Sequence, residues 1–148
     1  MNIIKLRPII TAEEKNTFVS EIQEAFQISY VSEFGKFEKK VLPTEDIEES
    51  FNTKGAEAYI AEIGGERIGG TVIVIDDKTG YNSLHLLYVK SSAQNAGNGF
   101  KIWKAIEKLH PETRIWETHT PYYDKRNIHF YVNRCGFKIV EFFNPKHK

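Results

Sequence analysis

Leu87-Tyr88-Val89-Lys90-Ser91-Ser92-Ala93-Gln94-Asn95-Ala96-Gly97-Asn98-Gly99-Phe100 carries an apolar strand pattern into a loop with two glycines and straight on into an amphipathic helix. The first N–H groups of a helix have no intrahelical partners, and the helix dipole favours negative charge there. Glycine lets a bulky anion approach the backbone without meeting a Cβ. Strand, glycine loop and helix start therefore form a candidate cradle for a pyrophosphate. Two familiar phosphate loops do not fit. A Walker loop needs Lys and then Ser or Thr after its last glycine, and Phe100-Lys101 stand there instead. A dinucleotide fingerprint needs a third glycine, which is missing. What stands is Gln94-x-x-Gly97-x-Gly99, with Ile102 three residues on. By itself this pattern also suits an ordinary glycine-rich strand-to-helix turn.

Working outward, the apolar periodicity predicts one α/β alternation without linker or repeat. Residues Asn2 to Ile10 read as a strand. Thr11-x-x-Glu14 is a capping box, and Phe18, Ile22, Phe26 and Tyr30 recur every four residues behind it. A short acidic helix runs from Glu45 to Phe51. Ala58–Ile63 and Arg67–Ile75 read as a hairpin around Gly64-Gly65, with a bulge expected at Gly69-Gly70. After the turn Asp76–Gly80, a strand from Ser83 to Val89 enters the loop. Ile102, Ala105, Ile106 and Leu109 then form a helical stripe that Pro111 ends. A strand over Arg114–His119, a helix capped by Asp124 and carrying Ile128, Tyr131, Val132 and Cys135, and a strand over Phe137–Phe143 complete the order β-α-α-β-β-β-α-β-α-β.

Composition sets bounds. The 148 residues suit a single domain spanning 1–148, long enough to bury a sizeable core. Twenty basic and twenty acidic residues cancel, and without a basic stripe nucleic acid is not an expected partner. No apolar run approaches a membrane span, and no secretory core precedes the first strand. One cysteine excludes an internal disulfide framework and suits a reducing, cytoplasmic setting. The five histidines include no HExxH and there is no CxxC pair, so no metal is expected.

A second motif gives the loop its meaning. Gln94-x-x-Gly97-x-Gly99 resembles the coenzyme A loop of the GCN5-related N-acetyltransferases. Asn127-Ile128-His129-Phe130-Tyr131, followed by Gly136-Phe137, resembles that family's fourth helix. The two occur in the family's order, about thirty residues apart. The resemblance covers nearly the whole chain. It implies a mixed, mostly antiparallel sheet with a central splay, flanked by helices, and an acetyl-CoA-dependent N-acetyltransferase. The acetyl group would pass directly to a primary amine of a small molecule or peptide. By that resemblance, Gln94, Asn95, Ala96, Gly97, Asn98, Gly99 and Phe100 hold the pyrophosphate. Leu87, Tyr88 and Val89 bind the pantetheine arm through backbone groups, Asn127 contacts it, and Tyr131 protonates the leaving thiolate. Many relatives place a glutamate base where this chain has His85.

The chain departs from the family pattern in spacing. Tyr131 stands five residues before Gly136, where four is usual, which would put Val132 in the tyrosine's slot. Simple strand alternation sets His85, Leu87 and Val89 on one face and Leu84, Leu86 and Tyr88 on the other. His85 there reads either as the acceptor's base or as a half-buried histidine satisfied by backbone. His119, Tyr122, Tyr123 and the acidic run Glu45, Asp46, Glu48, Glu49 read either as acceptor-pocket residues or as ordinary surface. Cys135 and His129, six apart on one helix, do not form a thiol–imidazole pair. A bare sheet edge around Phe142-Phe143 suggests a homodimer. The rival reading is a non-catalytic acyl-CoA-binding domain on the same fold.

Overall fold

The structure, a computed structural model, describes residues 3–34, 42–94, 97–120 and 125–138; at 29, 30, 32–34, 125 and 126 it describes backbone only. Among the described residues, nine α-helices and strands follow in order: β1 (Ile4–Pro8), α1 (Ala12–Phe34), α2 (Thr44–Asn52), β2 (Ala56–Ile63), β3 (Glu66–Val74), β4 (Tyr81–Val89), α3 (Asn98–Leu109), β5 (Ile115–Thr118) and α4 (Lys125–His129). The sheet has the order β1-β2-β3-β4-β5, antiparallel except for the parallel β4–β5 pair. The predicted order holds through the ninth element, and the strand expected over Phe137–Phe143 lies largely outside the described residues, as do Asp124 and the Phe142-Phe143 edge.

Local chemistry explains the boundaries. Thr11 Oγ1 accepts from the Glu14 N–H at 3.1 Å, and Glu14 Oε1 accepts from the Thr11 N–H at 3.3 Å, so the capping box forms and opens α1. The backbone N–H of Ile10, then Arg7 and Thr11, hold the Glu14 carboxyl down to about 2. Gly64 and Gly65 both take positive φ, +58° and +83°, as a two-residue hairpin turn matching the sheet twist requires. The bulge expected at Gly69-Gly70 falls one residue earlier. Ala61 pairs Gly69 and Glu62 pairs Arg67, which leaves Ile68 as the extra residue. The two glycines have a different cause, close approach. A Cβ on Gly69 would stand 2.2 Å from the Tyr88 carbonyl oxygen, and one on Gly70 would stand 2.7 Å from the Phe18 ring and 2.9 Å from the Tyr88 ring.

Each sheet face has its own core. Under α3, Ala61, Ile73, Leu84, Leu87, Ile102, Trp103 and Ile106 pack together, with Trp116, Tyr131, Cys135 and Phe137 against them. Under α1 and α2, Phe18, Ile22, Ala25, Ile47, Val72, Leu86 and Tyr88 form the other. Burying each large aliphatic side chain contributes about 1.5–3 kcal/mol. Two layers of helix on one twisted sheet thus fix where β4, the strand both cores share, must lie.

Candidate functional site

The β4–β5 ladder stops at Leu84↔Thr118, while β4 continues to Val89. From His85 onward, β4 is paired with β3 on one side and, among the described residues, with no strand on the other. This is the splay. Thr118 closes the paired part by donating from Oγ1 to the Leu84 carbonyl at 2.9 Å.

A bulge sits at the opening. Val72 pairs Leu86 and Ile73 pairs Leu84, so His85 is the extra residue in β4. Thr71, buried in β3, donates its hydroxyl to the Leu86 carbonyl at 2.6 Å. A bulge shifts side-chain alternation by one residue. Leu84, Leu87 and Val89 consequently face α3, while Leu86 and Tyr88 face α1 and α2. Simple alternation, which groups His85 with Leu87 and Val89, is therefore corrected. His85 is exposed on the α1/α2 side, and its electrostatic neighbours are His119 and Glu49 of α2. Partial loss of water, then the neighbouring His119, pushes the His85 imidazole below its ordinary value, against a smaller opposing pull from Glu49.

Beyond β4 the chain braces its own loop. The Lys90 N–H donates to the Ile68 carbonyl at 2.8 Å, and a 3₁₀ turn covers Ser91–Ala93. The Gln94 amide donates to the Val89 carbonyl at 3.1 Å, and the buried Asn98 amide donates to the Ala93 carbonyl at 2.9 Å. Both side chains shape the loop from within. Gly97 is the N-cap of α3 with φ +73°, and nothing lies within 4 Å of where its Cβ would stand. A glycine cap offers no side-chain oxygen to the first N–H groups of a twelve-residue helix. No side chain caps those donors. Gly99 has a different duty: its Cβ would stand 3.2 Å from the Phe130 ring, so its absence lets Phe130 pack on the loop. Asn95 and Ala96 lie outside the described residues.

Phe130 brings the second motif to the first. After α4 the chain makes a π turn over Phe130–Arg134, with the Cys135 N–H donating to the Phe130 carbonyl at 3.1 Å. A π turn takes one residue more than an α turn. It falls within the stretch from Tyr131 to Gly136 that is one residue longer than the family's usual spacing. Gly136 takes φ +85°, as the helix end requires. The Tyr131 ring stands edge-to-face with Phe137 at 5.7 Å and Phe130 at 5.3 Å, on the α3 side of the sheet. Asn127 is half-buried one turn earlier. Burial, then Glu107, pushes the Cys135 thiol up to about 12, which suits packing rather than nucleophilic chemistry.

Several contributors had no sequence signal. Arg134 reaches the Phe100 ring, 5.4 Å from its centroid, and Lys104 lies 5.8 Å from the same ring. Both place positive charge beside the first turn of α3. On the other face Glu21 of α1 accepts from the Tyr88 hydroxyl at 2.7 Å and from Arg67 at 3.0 and 2.8 Å. Burial pushes the Glu21 carboxyl up, but Arg67 and Tyr88 together outweigh it and hold it below its ordinary value. One turn on, Glu24 accepts from Ser91 at 2.8 Å, so α1 grips both the end of β4 and the start of the loop. Tyr122 and Tyr123 lie outside the described residues, and no helix among those described is long and apolar enough to cross a membrane. No group of three or more His, Cys, Asp or Glu able to hold a metal occurs among the described residues.

With this geometry in view, residues 19–137 match the acetyltransferase (GNAT) family. The uncharacterized protein YrkN of Bacillus subtilis is 47% identical over 131 residues, 88% of this chain and 71% of that protein. Among solved structures, the acetyltransferase YycN of the same organism, described as putative, superposes with a TM-score of 0.71 at 12% identity, covering 98% of each chain. A GNAT acetyltransferase from Elizabethkingia anophelis with acetyl-CoA bound gives 0.70 at 17%, covering 95% of this chain and 80% of that one. The PaiA N-acetyltransferase from Thermoplasma acidophilum in complex with coenzyme A gives 0.68 at 16%, covering 95% and 92%.

Proposed function

Because the chain belongs to the acetyltransferase (GNAT) family, we propose that it is an acetyl-CoA-dependent N-acetyltransferase passing an acetyl group directly to a primary amine of a small molecule or peptide. The observation that carries this reading is the open edge of β4, followed within ten residues of sequence by a glycine-capped helix. The edge of β4 beyond Leu84, where the Val89 carbonyl is taken by Gln94 but no strand pairs among the described residues, suits an extended arm that lies down as a partner strand. The cap suits the diphosphate at its end.

The chain's residues divide the work. N–H groups at Gly97, Asn98, Gly99 and Phe100, with Lys104 and Arg134 nearby, hold the phosphates; Gln94 and Asn98 keep the loop in shape. An N–H near Val89 donates to the thioester oxygen as it gains charge, a preorganised contact worth about 3 kcal/mol in the transition state. His85, neutral at pH 7 because its imidazole is held low, takes a proton from the acceptor ammonium. Freed of that proton, the amine attacks the carbonyl carbon. Tyr131 gives the departing thiolate its proton, while Asn127 steadies the arm. Tyr131 packs with the α3 core and His85 faces α2, so acid and base approach the thioester from opposite faces of the sheet.

We further propose a single-domain, cytoplasmic enzyme that works as a homodimer. Tyr81 and Ile115, paired in register across β4 and β5, are 54% and 46% exposed and offer an apolar patch for a second copy. Light scattering giving a dimer mass at micromolar concentration supports this, and a monomer mass opposes it. The activity itself is tested by free-thiol release from acetyl-CoA over a panel of small amines and peptides. Amine-dependent thiol release supports transfer. Coenzyme binding with no release on any acceptor supports a non-catalytic acyl-CoA-binding domain instead.

A further inference from the structure

His85 has a second imidazole beside it, and strand geometry places the two together. Leu84 and Trp116 pack in the α3 core, and Thr118 bonds the Leu84 carbonyl. Side chains alternate along each strand. Glu117 and His119 on the β5 side therefore face α1 and α2, as Ser83 and His85 do on β4. The parallel register ends at Leu84↔Thr118. One step further, just past the last paired residues, come His85 and His119, close enough to interact electrostatically. Both histidines are exposed at the mouth where the strands part. Across from them stands Glu49 of α2, which interacts electrostatically with His85. His119 and Glu49 are the titratable groups that bear on His85, and Glu117 of β5 lies two residues before His119 on the same face.

We propose that His85 and His119 act as a pair across the mouth of the splay, His85 taking the acceptor's proton and His119 passing it to solvent. The inference rests on the acetyl-transfer reading above. An ammonium and a thioester give an amide, a thiol and one proton. That net proton is the one His85 removes and His119 releases. The second N–H proton leaves as the tetrahedral intermediate collapses, the C–S bond breaking, and it offsets the proton that Tyr131 supplies to the thiolate. Two adjacent imidazoles resist carrying charge together. A protonated His85 is therefore driven to hand its proton on, while Glu49 and Glu117 keep the mouth attractive to a cationic amine. His119 touches no reacting atom; it acts through His85.

The test is the single-turnover rate of His119→Ala and His119→Gln at low buffer concentration. A drop of about tenfold or more is expected, with imidazole added to the medium restoring much of the rate in His119→Ala. A rate within about twofold of wild type, or a loss that imidazole does not restore, overturns the relay. A second reading needs no turnover. The His85 ring, followed by NMR through a pH titration, should show its midpoint rise in His119→Gln and fall in Glu49→Gln. A midpoint unmoved in His119→Gln overturns the pairing whether or not the chain transfers acetyl groups. Absence of thiol release by the wild type, with the midpoint shifting as expected, counts against the enzyme reading and leaves the pair standing.

Discussion

Gly97 separates a backbone requirement from a ligand requirement, and the two respond differently to substitution. Its φ of +73° is one that L side chains rarely adopt, yet the space around its missing Cβ is open. Alanine there meets no neighbour. Its cost is conformational alone, about 1–2 kcal/mol, which for a domain of this size lowers Tm by roughly 2–8 °C. Glutamate carries the same backbone cost and, with nothing within 4 Å to strike, should melt close to alanine. The two part company in binding. A carboxylate a few ångströms from a diphosphate in a partly screened site opposes it by roughly 2–3 kcal/mol, or about 30- to 150-fold in Kd. Calorimetric titration with acetyl-CoA, paired with thermal melts of the free proteins, reads both effects. Most of the added deficit of Gly97→Glu over Gly97→Ala should disappear in 1 M salt, where the screening length falls to about 3 Å. Equal affinities for the two variants would refute the placement of phosphate at this cap. A glutamate variant melting far below the alanine one would refute the open space.

Other expectations follow from the same geometry. Tyr131→Phe keeps both aromatic contacts and removes one hydroxyl, so steady-state kinetics should show kcat falling by about 10² or more with acetyl-CoA affinity unchanged; an intact kcat returns Tyr131 to packing alone. In His85→Gln the low-pH limb of kcat/KM should vanish, because only neutral imidazole accepts a proton and wild-type kcat/KM rises through a midpoint below the ordinary ~6.5; an identical limb in the variant excludes His85 as the base. His110 lies between Glu57 at 2.8 Å and Glu112 at 3.1 Å, and although burial pulls its imidazole down, the two carboxylates raise it overall. Its stabilising contribution is therefore fully present below about pH 6.5 and lost as pH rises through the raised value, so melts should show wild type losing stability across that window and His110→Gln losing less; parallel curves would exclude the linkage. Tyr88→Phe breaks the bond to Glu21 behind the open edge of β4 and should raise the KM for acetyl-CoA several-fold with kcat nearly constant, whereas a loss confined to Tm would make the clamp purely structural.

Elements whose signals are local could be read in the sequence, and those that depend on neighbours could not. Thr11-x-x-Glu14 opens α1 because both halves of the capping box lie within one turn. Gly64-Gly65 makes the hairpin turn because few other residues take two positive φ angles in succession. Gly97 was legible for the same reason. The bulge at His85 was not, since one extra residue on a strand leaves no trace in apolar alternation: Leu84, Leu86, Leu87 and Tyr88 are all buried and satisfy either register. That ambiguity is what put His85 on the wrong face. The π turn was half legible. The extra residue between Tyr131 and Gly136 was visible as a spacing anomaly, but whether a helix absorbs it or shifts Val132 into the tyrosine's place depends on how Phe130 packs against Gly99. The clamp of Glu21, Tyr88 and Arg67 joins residues 46 and 67 positions apart, and Arg134 reaches Phe100 only through the π turn. Nothing local announces either.

The most direct test of the account is a crystal structure of this chain grown with acetyl-CoA. The account predicts the pyrophosphate on the N–H groups of Gly97 to Phe100, the pantetheine arm paired along the open edge of β4 beyond Leu84, and the thioester between Tyr131 and His85. Coenzyme bound elsewhere, or an arm that leaves the edge from His85 to Val89 unpaired, would contradict it.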